Sequence, residues 1–81
     1  MVFVKGFNRE KSVGYYNTDV FESIRIRDAD NILSVCGYIN VSDDYFDIIT
    51  LRENFPTEKE AENWLAEKAK EWGITLVDPN H

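Results

Sequence analysis

The sequence holds one cysteine, one histidine, two prolines and four glycines in 81 residues, and each scarcity removes a class of protein. Cys36 stands alone, so no intrachain disulfide can form, and one cysteine with one histidine falls short of the usual Cys/His zinc set. No metal is expected. The few Pro and Gly rule out collagen-like and low-complexity chains. Gly6, Gly14, Gly37 and Gly73 are scattered singly and none opens a helix, so the phosphate-cradling loop of a nucleotide site is missing and no cofactor is expected. No run approaches the ~20 apolar residues that a membrane helix needs, and the apolar start before Lys5 is too short for a signal peptide. The expectation is a protein without a membrane, with the cytoplasm as its default compartment.

What remains is 43% hydrophobic and 30% charged, the composition of a folded chain, with length for a single domain over 1–81. Nine Lys and Arg face fifteen Asp and Glu, a net charge of −6. The excess is uneven. Residues 1–40 balance Lys5, Arg9, Lys11, Arg25 and Arg27 against Glu10, Asp19, Glu22, Asp28 and Asp30, so the whole excess lies in residues 41–81. A field of that sign repels phosphate backbones and draws basic partners.

Strand signals fill the first two-thirds. Val2 to Phe7 is β-branched or aromatic, and Val20 to Asp28 and Ile32 to Val41 alternate with period two around the turn formers Asp28-Ala29-Asp30-Asn31. Ser42-Asp43-Asp44 separates Val41 from a further strand, Tyr45 to Glu53. Val13 to Tyr16 reads either as a short strand or as a loop covering the sheet. The helix is better defined. Thr57 and Glu60 have the spacing of a capping box, Ala61, Trp64, Leu65, Ala69 and Trp72 form an apolar stripe, and Gly73 is placed to end the helix with Ile74 closing a Schellman motif. The expected fold is α+β, an antiparallel sheet of three to five strands with one C-terminal amphipathic helix over about 58–72 packed on one face. The two tryptophans are its expected cover, the stem of Lys68 is expected to pack while its ammonium reaches water, and residues 74–77 could add a last edge strand.

Catalytic groups are scarce. His81 is the last residue of the sequence, a poor scaffold for a preorganised base, and Cys36 lies in mid-strand with no helix N-terminus to activate it. Asp43, Asp44 and Asp47 cluster, but at a spacing equally suited to a solvated turn. Alternation is more informative. If Ile24, Ile26, Leu33, Val35, Ile39, Val41, Ile49 and Leu51 face the helix, then Arg25, Arg27, Tyr38, Phe46 and Arg52 fall on the opposite face, with Ser34, Cys36, Ile48 and Thr50 between them. Arginine and aromatics are enriched at interface centres. Residues 8–19 could instead fold over that face.

The order strand, strand, strand, helix, with Phe55, Thr57, Lys59, Glu60, Ala61 and Trp64 entering the helix, resembles the arm-binding N-terminal domains of tyrosine integrases. That resemblance implies a three-stranded sheet laid in the DNA major groove, with Arg25, Arg27 and Arg52 facing the groove and Tyr38 among them. The leading expectation is a non-enzymatic small acidic protein-interaction module, of the kind seen among phage and mobile-element inhibitors or accessory proteins. It would dock through the sheet face or through Asp43, Asp44, Asp47, Glu58, Glu62, Glu67 and Glu71, the carboxylates imitating DNA phosphate in the second mode. The alternative is a DNA-binding module using the sheet, which the net charge disfavours. A homodimer formed through an open face or edge is a further option.

Overall fold

The computed structural model describes residues 2–76. Five strands and one 3-10 turn (Thr18–Val20, where the sequence pattern expected a strand to begin at Val20) precede one α-helix: β1 (Phe3–Phe7), β2 (Val13–Asn17), β3 (Ser23–Ala29), β4 (Ile32–Ser42), β5 (Tyr45–Glu53) and α1 (Glu58–Trp72). They form one antiparallel sheet in the order β2-β1-β5-β4-β3. The fold is α+β, with the sheet at five strands and the helix bounds at the expected positions. Residues 74–76 add no strand; Val77 and His81 lie outside the described residues.

Turn chemistry sets the hairpins. Ala29 pairs with Ile32 across Asp30 and Asn31, both at positive φ (52° and 61°), the two-residue turn that Asp and Asn tolerate best after glycine. Between β1 and β2 the Asn8 side chain accepts from the backbone N–H groups of Glu10 and Ser12, each at 3.0 Å, while Lys11 takes the left-handed conformation (φ 66°). Thr57 caps the helix by accepting from the Glu60 N–H at 3.2 Å. At the far end Gly73 (φ 73°) donates to the Lys70 carbonyl at 3.2 Å and Ile74 to the Ala69 carbonyl at 2.8 Å, the paired bonds of a Schellman ending.

The helix packs on β4 and β3. Its contact centre is made of small and medium side chains, with Ala61 and Leu65 clustered with Val35 and Phe55 and Ala69 buried one turn further on. Trp64 and Trp72 do not form that centre. Both are half-buried on its flank, in edge contact at 6.3 Å, with Trp64 also against Phe55 at 5.8 Å. An indole would hold the helix too far from the sheet for Ala61 and Ala69 to close on it, so the tryptophans wrap the side of the contact. Lys68 is half-exposed, its ammonium paired with Glu71 at 3.0 Å.

The connection from β2 to β3 must travel from one edge of the sheet to the other. It does so on the helix side. Gly37 faces the same way as Val35, two residues before it, and a Cβ at Gly37 would stand 2.6 Å from two atoms of the Phe21 ring. Phe21 therefore lies flat against bare backbone beside the helix, with Tyr16 next to it at 6.4 Å. Gly6 serves a similar purpose where β1 meets β5, since a Cβ there would stand 2.6 Å from the Ile49 Cγ2.

Candidate functional site

Residues 8–19 do not fold over the sheet. They turn at Asn8 and return as β2, pairing with β1 from Phe7↔Val13 to Phe3↔Asn17. Since the following connection runs on the helix side, neither segment roofs the opposite face. That face carries Arg25 and Arg27 from β3, Tyr38 from β4 and Phe46 and Ile48 from β5, by the pairings Arg25↔Cys36, Arg27↔Ser34, Tyr38↔Ile48 and Asn40↔Phe46. Arg25 lies over the Tyr38 ring at 4.8 Å and donates to the Ser23 hydroxyl at 3.1 Å, and Tyr38 meets Phe46 edge-on at 6.5 Å. The structure thus brings Arg25, Tyr38 and Phe46 into one cluster, with Arg27 two residues along β3.

Arg52 is elsewhere. Val35 pairs with Arg52 but Cys36 with Thr50, so β5 holds an extra residue at Leu51. This bulge reverses the alternation. Arg52 moves to the helix side and spreads over the Phe55 ring at 4.9 Å and the Trp64 ring at 5.9 Å. Its expected place beside Arg25 and Arg27 is corrected accordingly, and the groove-facing set implied by the integrase resemblance loses a member.

The floor of the open face is small and polar. Cys36 is fully buried and Ser34 nearly so, beneath the longer side chains around them. The Cys36 Sγ lies 3.4 Å from the Ser34 Oγ and 3.7 Å from the Thr50 Oγ1. This is a satisfied thiol, without a base beside it among the described residues. No buried side-chain polar atom among the described residues lacks a partner.

Strands β1 and β2 enlarge the face with residues that the sequence reading did not assign to it. The register Phe7↔Thr50 sets Phe7 beside Thr50, and alternation then places Phe3 and Lys5 on the same side, with Tyr15 across from Lys5. Phe3 is 56% and Tyr15 70% exposed. Lys11 lies over the Phe7 ring at 4.8 Å. Between the β1–β2 turn and the β3–β4 turn the face dips into an open trough of about 450 Å³, lined by Phe7, Arg9, Lys11, Arg27, Ile48 and Thr50 and, at its β3–β4 end, by Asp30 and Glu53. The signal for these residues was present in the alternation of Phe3, Lys5 and Phe7. It acquires meaning once Val13–Asn17 is a strand.

The expected acidic surface lies apart. Glu58, Glu62, Glu67 and Glu71 are exposed on α1, Asp43 and Asp44 in the β4–β5 turn, and Asp47 on β5. Among the described residues no three His, Cys, Asp or Glu side chains converge as metal ligands would, and no helix is long and apolar enough to cross a membrane. The only ion pair among them is Lys68–Glu71, so Lys5, Arg9, Lys11, Arg25 and Arg27 have no carboxylate of the described residues within salt-bridge distance. Compared with protein-family models, with curated proteins and with solved structures, the chain matches none.

Proposed function

We propose that this chain is a non-enzymatic interaction module that docks an anionic partner on the open face of its sheet. The observation behind this reading is the face that no described segment covers, on which Arg25 and Arg27 stand beside Tyr38 and Phe46 without a carboxylate partner among the described residues. The Arg25 guanidinium rests on the Tyr38 ring with its Nε held by Ser23, which leaves its outer N–H groups for a partner, and arginine with aromatic side chains dominates interface energetics.

The test is a titration of the labelled protein with poly-L-glutamate at physiological salt, followed by amide chemical shifts. Shifts gathered on β3 and the β1–β2 turn, lost in the Arg25→Glu/Arg27→Glu variant, support the reading. A protein untouched by every polyanion tried refutes it.

The exposed carboxylates of α1 favour a second reading, in which they imitate phosphate for a basic protein. It predicts that duplex DNA displaces that protein, and that binding weakens steeply with salt.

A further inference from the structure

We infer that the anionic partner is a single-stranded nucleic acid, its phosphates held by the bases of the open face and its bases stacked on the exposed rings. This rests on the docking face proposed above and assigns the chemistry of its occupant. Three observations carry it.

The first is the placement of charge. Five of the nine Lys and Arg residues (Lys5, Arg9, Lys11, Arg25 and Arg27) lie on this face or at the trough, while the carboxylates of α1 project from the opposite layer. The shortest dimension of the molecule is 24 Å, about three times the ~8 Å screening length at physiological salt. A phosphate on the open face therefore responds to the local bases and barely to the helix carboxylates. The net charge of −6 loses its force against nucleic acid once charge is sorted by layer.

The second is the exposure of the rings. Tyr15 and Phe3 are 70% and 56% exposed and, among the described residues, contact no other ring. Tyr15 stands directly across from Lys5. A second ring-and-cation pair, Tyr38 with Arg25, lies three strands away and, by the pairs Lys5↔Tyr15, Phe7↔Thr50 and Tyr38↔Ile48, well along the strands as well, roughly 20 Å in all at the usual strand spacing and rise. Aromatic platforms interleaved with cations are how proteins hold unpaired nucleotides irrespective of sequence. An acidic peptide would satisfy the cations and leave the rings idle.

The third is shape. Five strands span about 19 Å at ~4.8 Å per gap, whereas the B-DNA major groove, about 12 Å wide, admits a helix or a two-stranded ribbon. This face is also hollowed by the trough beside Phe7 and Arg27. It cannot enter a groove, but a flexible strand can lie in it. Asp30 and Glu53 line the β3–β4 end of the trough and repel phosphate there.

The experiment is fluorescence anisotropy with labelled oligo(dT) of about 12 nucleotides, within the site size of a small single-strand binder. An abasic oligomer of the same length, the matching duplex and poly-L-glutamate serve as comparators. The inference expects oligo(dT) to bind at least about tenfold more tightly than the abasic oligomer and the duplex, since each stacked base accounts for roughly 5- to 150-fold. Tyr15→Ala should lower oligo(dT) affinity by a factor in that range, leave the abasic oligomer unchanged and be rescued by Tyr15→Phe. Arg27→Ala should weaken both. Because Tyr15 is so exposed, an unchanged melting curve for Tyr15→Ala is expected and separates lost stacking from lost fold. Equal affinity for oligo(dT), the abasic oligomer and poly-L-glutamate would overturn the inference and leave an anionic protein surface as the occupant. Tighter binding of the duplex would overturn it in favour of double-stranded DNA. If none of the polyanions binds, the docking face itself falls with it.

Discussion

Gly37→Ala adds a single methyl group and tests the path that leaves the sheet face open. That methyl would stand 2.6 Å from two Phe21 ring atoms and 2.8 Å from a third, against ordinary carbon contacts of ~3.5–4.0 Å. The ring would have to withdraw by roughly 1 Å, and overpacking of this kind costs about 1–3 kcal/mol. Replacing glycine in a strand returns about 0.5–1 kcal/mol of backbone entropy, so the expected net loss is about 1–2 kcal/mol. With a urea slope near ~1 kcal/mol/M for a chain of this size, the unfolding midpoint should fall by about 1–2 M. Phe21→Ala alone removes a half-buried ring and should cost about 2–3 kcal/mol, below the ~3–5 kcal/mol of a fully buried one. In the double variant the methyl enters the space the ring vacated, so its loss should not exceed that of Phe21→Ala. Gly14→Ala is the control, because its added Cβ comes no closer than 3.6 Å to any atom, in the ring of Tyr16; it should be neutral or stabilising by up to ~1 kcal/mol. Additivity of the Gly37 and Phe21 effects to within ~0.5 kcal/mol would show that Phe21 does not rest on Gly37, and the β2–β3 connection would then have to run elsewhere.

Other positions give sharper local tests. Leu65→Ala, at the buried centre of the helix contact, should cost about 2–5 kcal/mol, more than Trp72→Ala on its flank, a ranking that urea melts of the two variants check directly. Thr57→Ala removes the cap on the Glu60 N–H and should cost about 0.5–2 kcal/mol, while Thr57→Ser should retain most of it; thermal melts by circular dichroism measure both. Gly73→Ala places a Cβ at φ 73° with nothing within 4 Å, so its loss of about 1–2 kcal/mol comes from backbone strain alone, and Gly73→Asn should recover part of it in the same melts. The fully buried Cys36 should react with a thiol reagent only through opening of the sheet, so its labelling rate should rise in step with the unfolded fraction as urea is added.

Face assignment separates the two kinds of arginine. Arg25 and Arg27 were legible from alternation because β3 pairs with β4 without interruption. Arg52 was not, because a bulge leaves no mark in a sequence whose residues on both sides of it, Thr50 to Glu53, all suit a strand. One extra residue at Leu51 reversed its direction and converted a candidate ligand contact into a cover for Phe55 and Trp64. Residues 8–19 illustrate a different limit. Their aromatic content fits a cover and a strand equally well, and only the pairing of Val13–Asn17 with β1, a contact between segments, distinguishes the two.

The local chemistry of the chain was sufficient to determine where the helix begins and ends, since Thr57, the apolar stripe and Gly73 act within a few residues of one another. It also determined a turn within Asp28–Asn31, which pairing narrows to Asp30 and Asn31, and the antiparallel order of β3, β4 and β5, which short connections enforce. Which strand joins β1 to the rest, which side the β2–β3 connection crosses, and hence whether Arg25 and Tyr38 meet solvent, were decided by tertiary structure. Those outcomes depend on bare backbone at Gly6 and Gly37 receiving Ile49 and Phe21. A glycine records that space is available, but the side chain that fills it comes from a distant part of the chain.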